Sequence, residues 1–109
     1  MSVQLAKEIY ILTGKFPKRE SYGLSDQLRR AAVSVPSNIA EGQARHQPGD
    51  FRRFLGIALG SLAELETQLI LAKKFGYIEQ SDLSPLENTI TKIRKKTYAL
   101  INTLPSAKL

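Results

Sequence analysis

The longest periodic segment of the chain is FRRFLGIALGSLAELETQLILAKKFG, residues 51–76. Its apolar side chains recur every three or four positions, which is the repeat of one face of an α-helix. The glycine at position 76 stands where helices commonly end with a residue in the left-handed conformation. The segment therefore predicts a helix over about residues 50–75. Its predicted buried stripe is Phe51, Phe54, Leu55, Ala58, Leu62, Leu65, Leu69 and Ala72.

Three further segments carry the same periodicity and predict helices over about residues 2–14, 25–44 and 82–104. The last of these has two possible starts: Ser81 can cap it, or Ser84-Pro85-Leu86-Glu87 can form a capping box with proline at the first helical position. The predicted stripes are Val3, Ala6, Ile9, Tyr10 and Thr13; Leu28, Ala31, Ala32, Val35 and Ile39; and Leu86, Ile90, Ile93, Thr97, Leu100 and Leu104.

Short polar connections join these four segments, and strand-like alternation does not occur between them. Four amphipathic helices with short loops predict an all-α fold, an antiparallel up-down four-helix bundle. A chain of 109 residues is the size of one domain, so we expect residues 1–109 to form a single bundle.

Composition limits the classes of function. The chain has no cysteine, which excludes disulfides and thiolate catalysis. Its formal net charge of +6 suits an anionic partner such as nucleic acid. The N-terminus lacks the pattern of a secretory leader, and no apolar stretch approaches the roughly 20 residues that span a bilayer. These features predict a cytoplasmic protein with no membrane segment.

The helix predicted over residues 50–75 carries a second apolar stripe of Leu59, Ala63 and Ile70, about 80° to 120° around from the first. A helix that faces one core needs only one such stripe. The same helix is roughly 39 Å long, whereas the first helix spans only about 20 Å and cannot cover it. Exposed apolar surface of this kind favours self-association, so we expect an oligomer.

The segment RRAAVSVPSNIAEG, residues 29–42, places a proline inside a helical pattern. Pro36 removes one backbone hydrogen bond and clashes with the carbonyl of the preceding turn, which predicts a bend. An alternative is that a ligand or partner uses the freed carbonyl. Arg30, Ser34, Ser37 and Glu41 form a polar face that is either solvated or in contact with another subunit, where Glu41 and Glu64 can pair with arginines.

Catalytic and metal-binding patterns are missing from the sequence. Its single histidine, His46, falls in a predicted turn. One histidine cannot supply the paired Glu-x-x-His motifs of a di-iron bundle, and zinc sites of histidine and cysteine fail for the same shortage. Gly56 and Gly60 lie inside a helix, where close packing explains them better than phosphate binding. We therefore predict a protein that is not an enzyme and has no cofactor.

Basic residues outnumber acids at both ends of the chain, seven to four over residues 1–46 and five to two over 81–109. Such residues either form solvated helix faces or contact phosphates with little sequence preference and strong salt dependence. The candidates for nucleic-acid contact are Arg29, Arg30, Arg45, Arg52, Arg53, Lys92, Arg94, Lys95 and Lys96. The candidates for the contact between subunits are Arg30, Glu41, Leu59, Ala63, Glu64 and Ile70.

YGLSDQLRRAAVSVPSNIAEG at 22–42 and FRRFLGIALGSLAELETQLILAKKFGY at 51–77 resemble a family of small bacterial four-helix-bundle proteins. Its members are encoded within intervening sequences of large-subunit ribosomal RNA genes, and a related protein is the accessory protein of diversity-generating retroelements. The resemblance covers nearly the whole chain. The residues that match the family's positions are Arg29, Arg30, Asn38, Glu41, Gly42, Arg45, Phe54, Gly60, Ser61, Glu64 and Glu66.

This resemblance implies a homopentameric ring and, as in the retroelement relatives, a basic surface that engages nucleic acid and a reverse transcriptase. Family members usually carry a further stretch before the position of Met1, so either the start of this sequence is misassigned or helix one covers less of the bundle. Our leading hypothesis is a non-enzymatic oligomeric bundle that binds nucleic acid, structured RNA or RNA/DNA, through lysine and arginine. The alternative is an assembly or adaptor ring that binds a protein partner without nucleic acid.

Overall fold

Four helices account for most of the computed structural model, which describes residues 1–105. They are α1 (Ser2–Thr13), α2 (Leu24–Ala44), α3 (Pro48–Lys74) and α4 (Gln80–Thr103), with a short 3₁₀ turn, Lys18–Glu20, between α1 and α2. The described residues contain no strand, which confirms the all-α prediction. The last four residues of the predicted domain lie outside the described residues.

The helix α3 is the centre of the bundle because it packs against both α2 and α4. Its predicted stripe is confirmed from Phe54 to Ala72, whereas Phe51 is only half-buried. Three of its leucines, Leu62, Leu65 and Leu69, are completely buried. Burying one leucine stabilises a fold by about 1.5–3 kcal/mol, so these three side chains form a large part of the core.

The helix α1 presents a different stripe from the predicted one. Leu5 and Ile9 are buried at 1% and 0% exposure, whereas Val3 is 71% and Tyr10 48% exposed, so both of the latter were wrongly assigned to the core. The physical reason is the position of α1, which contacts α2 and α4 and turns Leu5, Ala6, Ile9 and Thr13 toward them. Thr13 satisfies its hydroxyl there by donating to the carbonyl of Ile9, at 2.7 Å.

The helix α4 begins at Gln80, earlier than either predicted start. The backbone N–H of Glu79 donates to the carboxylate of Asp82 at 2.9 Å, as in a capping box, and this closes the first turn. The predicted box at Ser84-Pro85 therefore lies inside the helix. Leu83, which the predicted stripe omitted, belongs to the core at 4% exposure. The predicted core residue Leu100 is 37% exposed.

Specific residues fix the two connections that follow α1 and α3. Gly76 has a φ of +81°, which confirms the predicted left-handed end of α3. In the loop after α1, the carboxylate of Glu20 accepts the N–H of Leu24 at 2.9 Å and the hydroxyl of Tyr77 at 2.7 Å. These two bonds hold the pKa of Glu20 below its ordinary value, the backbone bond having the larger effect. Glu20 thus joins the start of α2 to the loop after α3.

By length and composition alone, α3 could cross a membrane, contrary to the expectation from the sequence. Core helices of soluble proteins pass the same test, and α3 supplies eight buried residues to this core. However, only 39% of its most apolar window is buried. The predicted length mismatch is confirmed, since α1 has 12 residues and α3 has 27, about 18 Å against 40 Å. Part of α3 is therefore apolar and uncovered.

Candidate nucleic-acid interface

The proline-containing segment of α2 is bonded to α3. Pro36 lies within the continuous helix α2. Two residues later, the Asn38 amide donates to the carbonyl and the hydroxyl of Ser34, both at 2.8 Å. The Ser34 hydroxyl lies 2.7 Å from that of Ser61 on α3. Asn38 thus donates to a backbone carbonyl beside Pro36, and Ser34 joins this part of α2 to α3.

The helices α2 and α3 approach each other closely at Gly42, near their connecting loop. A Cβ at this position would stand 2.7 Å from the Cβ of Phe54 and 3.3 Å from the Cα of Phe51. Only glycine permits this approach without displacing a neighbour. The loop itself bends at His46, whose φ is +57° and whose side chain is exposed.

Three of the candidate arginines form ion pairs. Arg30 pairs with Asp26 on α2 at 2.9 Å, and Arg45, the residue just after α2, pairs with Glu41 one turn before it at 3.1 Å. The third, Arg94 on α4, pairs with Glu66 on α3 at 2.8 Å, with both side chains about 30% exposed. Glu41 thus does pair with an arginine, but with one at the end of its own helix. Within residues 1–105, Glu64 has no such pair.

Two further arginines support the fold by contacting neighbouring helices. The Arg29 Nε donates to the hydroxyl of Thr13 at 2.8 Å, and its guanidinium lies 4.9 Å from the centre of the Tyr10 ring. Arg52 donates to the carbonyls of Leu104 and Pro105, at 2.7 and 2.9 Å, and so closes the end of α4. Phosphate binding by either arginine would compete with these contacts.

Arg53 is more accessible than the other α3 arginine. Its guanidinium lies 4.4 Å from the centre of the Phe54 ring, which Arg45 approaches to 5.2 Å. Both side chains are exposed at the end of the bundle that holds the loop between α2 and α3. These two arginines stack on one ring and keep donors available to solvent.

The helix α4 carries the clearest basic surface. Lys92, Lys95 and Lys96 are all exposed, and their spacing of three and four residues places them on one face of the helix. Residues 88–105 contain no acid. In the described chain these three lysines take part in no ion pair or side-chain hydrogen bond. We call these three residues the lysine face.

A polar groove lies between α2 and α3, with a volume of about 410 Å³. It brings together two of the predicted subunit-contact residues, Arg30 and Glu64. The other predicted residues do not line it: Leu59 packs against the core, Ala63 and Ile70 are exposed elsewhere on α3, and Glu41 pairs with Arg45. The full lining is Gln27, Arg30, Ala31, Ser34, Ser61, Glu64 and Gln68.

The sequence did not single out Gln68, whose side chain is the one in this groove with a buried oxygen that lacks a hydrogen bond within residues 1–105. Its Oε1 atom is buried and accepts no hydrogen bond from residues 1–105. A sequence signal was present, because Ser61, Glu64 and Gln68 interrupt an apolar helix at steps of three and four. That spacing predicts a polar line on the helix surface.

A second, apolar groove of about 210 Å³ opens beside Met1 at the start of α1. Ile39, Leu55, Ile93 and Leu100 supply its apolar wall. Lys96 of the lysine face also lines it. The groove thus adjoins the basic surface of α4.

Among residues 1–105, no three His, Asp or Glu side chains lie close enough together to hold a metal ion. Fold and surface together define a small helical-bundle protein in which, over residues 1–105, most arginines contact neighbouring side chains or carbonyls and the lysines face solvent. The chain belongs to the family of 23S rRNA-intervening sequence proteins, whose family model matches residues 1–99.

A similar solved structure supports this assignment. It is the 1.70 Å crystal structure of a protein of unknown function from the S23 ribosomal protein family of Bacteroides thetaiotaomicron. The TM-score is 0.83 and the sequence identity 28%, over 94% of this chain and 95% of that one. No curated protein matches the chain.

Proposed function

We propose that this protein is a non-enzymatic, oligomeric helical bundle of the cytoplasm that binds structured RNA or RNA/DNA through the lysine face. The observation that carries the proposal is the unpaired state of Lys92, Lys95 and Lys96 within residues 1–105. Ammonium groups that already neutralise carboxylates gain little from phosphate, whereas these three release counterions from the nucleic acid when they bind.

The proposed fold is an up-down bundle in which successive helices run antiparallel. Three contacts support this. Arg29, near the start of α2, donates to Thr13 at the end of α1. Gly42, near the end of α2, adjoins Phe54 near the start of α3, and Arg52 at the start of α3 reaches the end of α4. Such pairing is expected when short loops join neighbouring helices.

Self-association forms the second part of the proposal. The helix α3 leaves Ile57 and Leu71 each 41% exposed, and Phe75 just beyond its end is 57% exposed. An apolar surface of this kind is stabilised when another subunit covers it. A homopentameric ring, implied by the family resemblance, would repeat the lysine face five times and so strengthen binding to one RNA.

Binding of a structured RNA, measured by fluorescence anisotropy at 50 and 200 mM salt, tests the RNA part. If three phosphates are contacted per subunit, the logarithm of the binding constant should fall with the logarithm of salt with a slope of about −2 to −3. The variant Lys92→Glu/Lys95→Glu/Lys96→Glu should lose at least about tenfold in affinity and most of that slope.

A matched control is Lys15→Glu/Lys18→Glu/Lys74→Glu, which changes the net charge equally at the other end of the bundle. It should retain most of the affinity if the lysine face is the binding surface. Equal losses in the two variants would mean that net charge alone attracts RNA. An unchanged affinity in the first variant would refute the assignment to α4, provided that its oligomeric mass is unchanged.

The apolar groove beside Met1 favours a second candidate, a ring that binds a protein partner. Its wall of Ile39, Leu55 and Ile93 offers a hydrophobic contact, and Lys96 supplies a cation at the rim. An acidic amphipathic helix has the complementary chemistry. A protein that shows no affinity for RNA at 50 mM salt would favour this candidate over the first.

A further inference from the structure

The groove between α2 and α3 has more hydrogen-bond acceptors than the chain satisfies. Gln68 Oε1 is buried and accepts no bond from residues 1–105. Glu64 lies one turn away on the same helix, lines the same groove, and has no ion-pair partner among the described residues. The Ser34 and Ser61 hydroxyls are already bonded to each other. The groove of about 410 Å³ is therefore lined by a carboxylate with no ion-pair partner in residues 1–105 and by a glutamine whose buried amide oxygen accepts no bond there.

An arginine side chain has the chemistry that fits this groove. Its guanidinium has five donors and no acceptor, it is always charged, and its planar fork can reach two neighbouring acceptors at once. The cation already in the groove, Arg30, is paired with Asp26 at 2.9 Å and so repels an incoming cation less than an unpaired arginine would. Anions are disfavoured by Glu64, and a purely apolar group would leave Gln68 Oε1 unsatisfied.

We propose that this groove receives an arginine side chain from a second copy of the chain, which donates to Glu64 and Gln68. The inference rests on the self-association in the proposed function and names the contact that holds the subunits together. The chain supplies suitable donors, because Arg53 is exposed and contacts the Phe54 ring rather than an acid. Exposed apolar side chains on the same helix, Ile57 and Leu71, would surround the ion pair.

Two nearly isosteric substitutions test the charge of the occupant. Glu64→Gln removes the negative charge and should raise the dissociation constant of the oligomer about tenfold, since a charge-assisted hydrogen bond between subunits is lost. Gln68→Glu adds a second carboxylate beside Glu64. In the free subunit these two carboxylates repel each other, and a cation placed between them removes that repulsion. If the occupant is a cation, association should therefore tighten by about threefold or more.

The measurement is sedimentation equilibrium of the full chain over a range of concentrations, with Glu8→Gln on α1 as the matched control. The control should shift the dissociation constant by less than about twofold. Weaker association of Gln68→Glu would overturn the proposal, since it would show an anionic or apolar occupant. Equal constants for wild type and Glu64→Gln would overturn it as well. A wild-type protein that stays monomeric at every concentration would refute self-association itself, which is a different outcome.

A photo-cross-linking amino acid at Gln27, on the exposed rim of the groove, identifies the inserted side chain. Mixing ¹⁴N- and ¹⁵N-labelled chains separates cross-links between copies from those within one chain. We expect mixed-isotope products whose linked peptide contains an arginine at or beside the attachment point. Cross-links confined to single chains, or to segments of a second copy that lack arginine, would contradict the assignment.

Discussion

Replacing Gly42 by alanine gives the most direct test of how closely α2 approaches α3. The added Cβ would lie 2.7 Å from the Cβ of Phe54 and 3.3 Å from the Cα of Phe51. Carbon atoms in contact are ordinarily about 3.5–4.0 Å apart, so the overlap with Phe54 is close to 1 Å. Both atoms are fixed to the α3 backbone and cannot rotate away, so the helices themselves must separate.

The magnitude follows from two opposing effects. Forcing an extra methyl group into a packed site costs about 1–3 kcal/mol, whereas alanine is favoured over glycine in a helix by at most about 1 kcal/mol. We expect Gly42→Ala to lose about 1–2 kcal/mol of unfolding free energy. For a chain of this size the melting temperature should fall by about 4–8 °C.

Gly56→Ala is the matched control, because the same methyl group at Gly56 meets nothing within 4 Å. Without a clash, only the helix preference remains, and this variant should gain about 0.5–1 kcal/mol. Thermal and urea unfolding followed by circular dichroism measures both. Several protein concentrations are needed, since self-association makes the melting temperature concentration-dependent. A Gly42→Ala protein at least as stable as wild type would refute the close approach.

Two other predictions concern contacts between elements. Glu20 accepts bonds from Leu24 and Tyr77 that lower its pKa, so its stabilising effect is present above the ordinary carboxyl pKa and is lost as the pH falls through the lowered one. Glu20→Gln should therefore unfold with a shallower dependence on pH in the acid range than wild type; identical pH profiles would count against the two bonds. For the pair Arg94–Glu66, a double-mutant cycle with alanine should give a coupling of about 0.5–1 kcal/mol, and a coupling near zero would show that the contact is not formed in solution.

Periodicity predicted α3 well because its apolar side chains fall on one dominant face. In α1 the same method misplaced Val3 and Tyr10, since this short helix has apolar residues on nearly every side. Several stripes then satisfy a repeat of 3.6, and only the positions of α2 and α4 decide which stripe is buried. Leu5 and Ile9 meet those helices, and Tyr10 is left outside to contact Arg29.

The start of α4 was mispredicted for a different reason. Serine is a favoured N-cap residue, so Ser81 and Ser84 were the natural candidates. The structure uses Glu79 and Asp82 instead, with the carboxylate of Asp82 accepting the N–H of Glu79. Glutamate is not a preferred N-cap residue. This capping box consists of two carboxylates, Glu79 and Asp82, at the positions where serine and glutamate are usual. A pattern search based on frequencies cannot find such a cap.

Spacing in the sequence predicts some of the ion pairs of the candidate arginines but not all of them. The pairs Arg30–Asp26 and Arg45–Glu41 are four residues apart, so their formation could be expected from a helix alone. Arg94 meets Glu66 across 28 residues, which only the packing of α3 against α4 brings together. The spacing of Gln68 from Glu64 indicates a polar line on α3, but the burial of its amide oxygen depends on the packing of the bundle.

This division bears on which residues remain available to phosphate. The guanidinium has several donors in a fixed plane and so can hold two structural elements together, as Arg52 and Arg29 do. An ammonium on a flexible stem gains less from such fixed contacts and stays hydrated. The lysine face of α4 accordingly keeps its charge at the surface, where three cations in a segment without acids attract a polyanion. If RNA binds this protein, its salt dependence should therefore follow the lysines of α4, while loss of the arginines should be detected first as a loss of stability.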